Sequence, residues 1–295
     1  MRRAWLFLLA ALLVFTSACR TRPPRIVVGS KFFTEQVILA ELLAQHIEAR
    51  TGVHVERRSN LGSTQICHQA LLTGGIDVYV EYTGTALTAV LGEKPSGDSK
   101  AVYERVKQAY GGRFGLVVTE PLGYENTFAM VIRGEDARQH HLGMISDIAR
   151  RGGLAPRWRV GVGYEFLERP DGYRGWSERY GLRFAEAPRV MDLGLIYRAL
   201  REKQVDIVAG NSTDGLIDAL GLVALEDDRH YFPPYDAVPI VRGATLERFP
   251  QLRAALAELA GKITATDMRR LNYAVDGEHR DVADVVRALR QSKGL

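Results

Sequence analysis

Ile76-Asp77-Val78-Tyr79-Val80-Glu81-Tyr82-Thr83-Gly84-Thr85 is an apolar run that stops in an aromatic ring, two hydroxyls and a glycine. Mostly apolar residues at successive positions predict a strand covered on both faces, as in a parallel sheet, and ligands of such sheets gather beyond the carboxyl ends of the strands. Tyr82 to Thr85 are therefore expected at a binding edge. Val205-Asp206-Ile207-Val208-Ala209-Gly210-Asn211-Ser212-Thr213-Asp214-Gly215 repeats the apolar-Asp-apolar opening, with Asn211 in the place of Tyr82. Two similar α/β lobes facing each other across a gap would produce this repetition. So would the general recurrence of hydrophobic-Asp-hydrophobic in α/β proteins, and the two segments alone do not choose.

Working outward, residues 25–30 read as a first strand ending in Gly29-Ser30. A helix follows with Thr34 as its N-cap, Glu35 near its positive start, and Val37, Ile38, Leu42 and Ile47 on one face until Gly52. Strand 53–57, helix 63–72 and strand 76–82 complete a βαβαβ frame. Helix 99–109, closed by Gly111-Gly112, leads to a strand at 127–133, taken as the first crossing between lobes. A second cycle then runs helix 146–151, strand 159–162, helix 172–180, strand 182–185, helix 192–202, strand 205–209 and helix 213–220. Strands 222–226 and 237–241 return the chain, and a helical tail with starts at Pro250, Thr266 and Asp281 packs on the first lobe. Two crossings predict a hinge.

The 295 residues, 46% hydrophobic and 25% charged, suffice for two globular domains. Met1-Arg2-Arg3, the apolar run 4–15 and Thr16-Ser17-Ala18 have the layout of an export signal, and Cys19 stands where a bacterial lipoprotein accepts its lipid. The expected division is thus signal peptide 1–18, lipidated tether 19–25, first lobe 26–130, second lobe 131–234, and the return to the first lobe 235–295. The formal net charge of +4 falls by two when Arg2 and Arg3 leave with the signal. The remaining arginines form no single stripe, so nucleic acid is set aside as a partner. Cys67 is the only cysteine after Cys19, predicts no internal disulfide, and reads as a small buried hydrophobe.

Catalytic signatures are missing: there is no Gly-x-Ser-x-Gly elbow, His-Glu-x-x-His, Walker loop or Cys-x-x-Cys. Gly161-Val162-Gly163 starts like a dinucleotide turn, but Phe166 stands where a third glycine is required. His140-His141 reads as a solvated loop, so no metal and no cofactor are expected. Rings at strand ends and crossings remain: Tyr82, Phe128 within Glu125-Asn126-Thr127-Phe128, and Tyr235, held by the stiff Pro233-Pro234. Each alone is more readily explained by core packing than by ligand contact.

Gly29-Ser30-Lys31-Phe32-Phe33-Thr34-Glu35-Gln36, Glu81-Tyr82-Thr83-Gly84-Thr85, Asp171-Gly172-Tyr173, Ser212-Thr213-Asp214-Gly215, and Leu225-Glu226-Asp227-Asp228 leading into Phe232-Pro233-Pro234-Tyr235 together resemble the substrate-binding proteins of osmoprotectant ABC transporters, which take up glycine betaine, carnitine or choline. The resemblance implies a type II periplasmic-binding fold, α/β, with two lobes that close on a solute. A trimethylammonium group is cationic without an N–H donor, so ring faces hold it, at about 0.5 to 2 kcal/mol per ring. In the family, positions matching Tyr82, Phe128, Asn211 and Tyr235 form an aromatic box. Here Phe128 lacks the hydroxyl and Asn211 the ring, which makes room for a larger compound such as carnitine or ergothioneine.

By the same resemblance Lys31, near Thr85, is a polar ligand contact, expected to pair with a carboxylate and to favour zwitterionic betaines over choline. Ser63 at a helix start and Asn126 are further possible ligand contacts, each with an ordinary structural alternative. The implied protein is a monomer without chemistry of its own, exported and lipid-anchored at the periplasmic or outer face of the membrane. It delivers its ligand to a separate ABC permease with its ATPase. An envelope enzyme acting on a small amine or amino-acid derivative, and a ligand-sensing protein without transport, are the alternatives.

Overall fold

Val27 and Asp77 show why the repeated strand opening exists. In the computed structural model, which describes residues 24–94 and 96–295, the Val27 amide donates to Asp77 Oδ2 at 2.8 Å. The Arg159 amide donates in the same way to Asp206 Oδ2 at 2.9 Å. Each aspartate thus ties the start of one central strand to the neighbouring parallel strand, satisfying an amide that pairing does not reach. The recurrence therefore marks two like-built lobes. The expected signal peptide and Cys19 lie outside the described residues.

The first sheet holds β1 (Ile26–Lys31), β2 (Val55–Gly62), β3 (Val78–Tyr82), β4 (Leu116–Val118) and the late β10 (Ala237–Arg242), in the order β2-β1-β3-β10-β4. The second holds β5 (Phe128–Arg133), β6 (Val160–Val162), β7 (Arg189–Val190), β8 (Ile207–Asn211) and β9 (Leu222–Leu225), in the order β7-β6-β8-β5-β9. In both, three parallel strands meet an antiparallel one that came from the other lobe. β10 pairs with β3 so that Ala237 faces Tyr82, and β5 pairs with β8 so that Phe128 faces Asn211. Tyr82 and Asn211 are equivalent positions of the two lobes.

Among the described residues, helices of eight residues or more are α1 (Thr34–Thr51), α2 (Thr64–Thr73), α3 (Ser99–Phe114), α4 (Tyr173–Tyr180), α5 (Ala265–Asp276) and α6 (Val282–Lys293). α1 buries Ile38, Leu39, Leu42, Leu43 and Ile47 beneath the first sheet and stops at Gly52, whose φ of +69° suits glycine. Its other side meets α6, where Gln45 Nε2 donates to the Ala283 carbonyl at 2.9 Å. The C-terminal helices thus pack on the first lobe. No helix of the described residues is long and apolar enough to cross a membrane.

Several expected boundaries move. β5 lies in the second sheet from Phe128 onward, so the chain leaves the first lobe before residue 131, along the segment between β4 and β5. No strand forms at 182–185; Leu182 is buried and Phe184 stacks on Trp176 at 5.8 Å with 18° between the ring planes. That packing takes the segment from the sheet, and β7 forms only at Arg189–Val190. α1 is capped by Phe33 and begins at Thr34, whose hydroxyl donates to Asp276 Oδ1 at 2.6 Å instead of closing its own helix. α3 runs through Gly111-Gly112 to Gly115, with φ +64°. The helix expected from Thr266 is capped by Thr264 in a reciprocal box with Asp267.

Candidate functional site

The carboxyl ends of β1, β3 and β8 face one cleft between the sheets. Lys31, Tyr82, Thr85, Asn126, Phe128, Asn211 and Tyr235 all line it, joined by Phe33, Glu165, Phe166 and Arg169. Ser63 does not; it lines a neighbouring cavity of about 380 Å³ with Thr64, Glu168 and Arg169. Between these side chains the central cleft leaves a cavity of about 50 Å³.

Tyr82 is held from below. Its hydroxyl donates to Glu35 Oε1 at 2.6 Å, beside Tyr124 at 2.9 Å and Asn126 Nδ2 at 3.0 Å. Glu35 Oε2 accepts the Thr213 hydroxyl at 2.5 Å and Asn272 Nδ2 at 3.1 Å. Five donors from both lobes, the first crossing and α5 therefore converge on one buried carboxylate. Burial, then the Glu35 charge, keeps the Tyr82 pKa well above the ordinary phenol value, so the hydroxyl stays a donor. Asn126, expected as either pocket donor or turn residue, spends its amide on Glu35.

Lys31 is not a free cation awaiting a carboxylate. Its ammonium is 2% exposed, lies 2.5 Å from the fully buried Glu81 and donates to Thr64 Oγ1 at 3.3 Å. It also sits 4.8 Å from the centroid of the Tyr82 ring. Glu81 is fixed in turn by the Tyr79 hydroxyl at 3.0 Å and the Tyr82 amide at 2.8 Å. The sequence motif offered Lys31 as a polar contact but gave no sign that Glu81, on the next strand, would neutralise it.

Arg169 was not anticipated. Its side chain is 8% exposed and pairs with the buried Asp171, with Nε donating at 2.8 Å and Nη2 at 2.6 Å. It reaches across to the first lobe, where Nη1 donates to Thr85 Oγ1 at 2.9 Å. Its guanidinium lies 5.1 Å from the Phe128 centroid and 5.7 Å from that of Tyr235. Burial opposes its charge, yet Tyr235 and Asp171 outweigh burial and raise its pKa above the ordinary value. Asp171 also accepts the Tyr235 hydroxyl at 2.5 Å and the Thr88 hydroxyl at 3.0 Å. The available signal was adjacency to Asp171-Gly172-Tyr173: at Gly172 a Cβ would overlap the Phe166 carbonyl, so only glycine permits the turn that brings Arg169 and Asp171 together.

Glu165 was missed for the same reason, because it acts across the gap. Its Oε1 accepts the Thr64 amide at 2.9 Å, so the α2 start that Ser63 had suggested for a ligand carboxylate is occupied by a carboxylate of the opposite lobe. Phe128 packs on Phe166 at 4.7 Å, Phe232 at 5.6 Å and Tyr235 at 5.8 Å. At Gly84 a Cβ would come within 2.8 Å of the Tyr235 ring, so this glycine is where strand end and second crossing touch. Among the described residues no group of His, Cys, Asp and Glu could hold a metal.

Comparison with known proteins agrees with this architecture. The family described as the substrate binding domain of ABC-type glycine betaine transport system, OpuAC, matches residues 24–291. The carnitine transport binding protein OpuCC of Listeria monocytogenes is 35% identical over 266 residues, 90% of this chain and 85% of the relative. The glycine-betaine-binding protein of Pseudomonas aeruginosa is 36% identical over 262 residues, 86% of this chain and 83% of that one. A crystal structure of a glycine betaine/carnitine/choline ABC transporter protein superposes with a TM-score of 0.76 at 33% identity, covering 91% of this chain and 98% of the other. With two like-built lobes around one aromatic cleft and a match along nearly the whole described chain, the protein belongs to the OpuAC family of ABC-transporter substrate-binding domains.

Proposed function

We propose that this protein captures a betaine-type quaternary ammonium compound between its lobes and delivers it unchanged to a separate ABC permease with its ATPase. It works as a monomer, exported and held at the membrane by a lipid on Cys19. One observation carries the reading: rings from three parts of the chain, Tyr82, Phe128 and Tyr235, border the same interlobe cleft, the arrangement suited to a cation without N–H donors. Thr85 and Asn211 supply polar contacts, and once the lobes part to admit a ligand the absence of a ring at Asn211 makes room for a compound larger than glycine betaine.

Calorimetric titration of the protein from Arg20 onward with glycine betaine, carnitine, choline and ergothioneine tests this. Micromolar or tighter binding of a carboxylated compound is expected, weakened about tenfold or more by Tyr82→Ala, which removes one ring. The recovered ligand should be chemically intact. Silence toward all four compounds, or conversion of any of them, would sink the reading.

A further inference from the structure

A second cavity, of about 200 Å³, lies on the seam between the lobes beside the central cleft. The first lobe contributes Thr34, Glu35 and Asp276 to its walls, and the second lobe Asp192, Tyr197 and Asp214. Four of these six are carboxylates, and among the described residues no lysine, arginine or histidine lines the space with them. The seam is tight here. A Cβ at Gly215 would come within 2.5 Å of the Arg269 carbonyl and 2.6 Å of Tyr273 Cβ, so the loop after β8 rides directly on α5, and Asn272 of that helix donates to the Thr213 carbonyl at 2.9 Å. The four acids are not equally satisfied. Glu35 has its five donors, Asp276 accepts the Thr34 hydroxyl at 2.6 Å, and Asp192 accepts the Gly194 amide at 2.7 Å. Asp214 accepts the Tyr197 hydroxyl and the Asn211 amide, both from its own lobe. The first lobe turns only the charges of Glu35 and Asp276 toward it, and His279, just beyond α5, eases the charge on Asp276.

We propose that this seam is a proton-responsive latch: Asp214 takes up a proton as the lobes join and releases it as they part, so that closure is favoured in acid and relaxed as pH rises, whatever solute the cleft takes. Joining the lobes drives an acid of one against acids of the other with no cation between them, and a bound proton removes that repulsion. In the joined structure burial first, then the Glu35 and Asp276 charges, push Asp214 up to about 7. Parting the lobes admits water and withdraws both charges, which returns the group toward its ordinary 3.8. The joined form therefore holds the proton more tightly. Its advantage is full below about pH 4 and is lost as pH rises through about 7. Burial raises Asp276 in the same sense, and it keeps the Tyr197 hydroxyl protonated as a donor throughout.

X-ray scattering of the ligand-free protein from Arg20 onward, at about pH 5 and about pH 8.5 and one ionic strength, tests this. Wild type is expected to move its open-to-closed ratio toward open by about tenfold or more at the higher pH, which follows from a tenfold difference in proton affinity between the two forms. The readout is a larger radius of gyration. Asp214→Asn keeps an acceptor for Tyr197 and Asn211 without the charge, and should give the compact value at both pH values. Asp276→Asn, which removes an opposing charge from the first lobe, is the second variant should the first not fold, and should reduce the response. Thermal melting at each pH confirms that every sample is folded. Identical wild-type curves at the two pH values overturn the proposal, as does a response that survives undiminished in a folded variant. Neither outcome bears on which solute the cleft binds.

Discussion

Glu35 spends both carboxylate oxygens on five protein donors and none on solvent. Glu35→Gln would replace one oxygen by an amide whose protons confront donors already aimed there. A loss of about 1 to 3 kcal/mol in urea unfolding is expected, with weaker ligand binding because Tyr82 loses its seat. Unchanged unfolding would show that the network rearranges freely. Asp214 behaves oppositely: burial first, with added repulsion from Glu35 and Asp276, pushes its pKa up to about 7, although the Tyr197 hydroxyl and the Asn211 amide donate to it. The folded state thus holds this proton more tightly than the unfolded one. Its contribution is full below about pH 4 and lost as pH rises through 7, as much as about 4 kcal/mol. Asp214→Asn should therefore flatten the fall in stability between pH 5 and 8, and an unaltered pH profile would refute the assignment. In the sequence, Tyr82 and Asn211 were legible as strand ends, while Phe128 and Tyr235 stood out as rings at crossings and through the family resemblance. Glu165 and the pairing of Lys31 with Glu81 were not, because each depends on a partner distant in the chain, and Arg169 offered only its adjacency to Asp171-Gly172-Tyr173.

Strands β1, β3 and β8 were readable since continuous apolar residues have few alternatives in a covered sheet. Short, charged edges were not. Leu182-Arg183-Phe184 has the alternation of a strand, yet the stacking of Phe184 on Trp176 decides its course, and such packing is invisible to a local pattern. Helix starts failed similarly where two candidates stood close together. Thr264 rather than Thr266 caps α5, accepting the Asp267 amide at 3.1 Å. Thr264→Ala should cost about 1 kcal/mol, whereas Thr266→Ala should be nearly neutral; equal losses in thermal denaturation would contradict the capping geometry.

Across the cleft the two lobes are joined by Glu165 on the Thr64 amide, Arg169 on Thr85 and Asp171 on Thr88, besides the contacts of Thr213 with Glu35 and Asn272 and of Tyr235 with Asp171. Removing the Glu165 carboxylate from the helix start should shift the closed-to-open ratio about fivefold, for about 1 kcal/mol. X-ray scattering of ligand-free Glu165→Ala should then give a larger radius of gyration than wild type, and identical curves would show that Glu165 is no latch. The repeated openings at Asp77 and Asp206 left the two-lobe plan open until the family resemblance supplied it, whereas the closing contacts, made by single atoms across a gap, had no signal in the sequence.

β1 and α6 lie in the same lobe, with Gln45 joined to Ala283. The two ends of the described chain therefore ride on one body, and the second lobe hangs from it as an internal insertion. A fluorescent protein fused at either end would travel with the stationary half and stay blind to ligand. One inserted at the exposed Arg151-Gly152 turn would ride the mobile half, and a pair of dyes, one at each place, would turn closure into a change of colour.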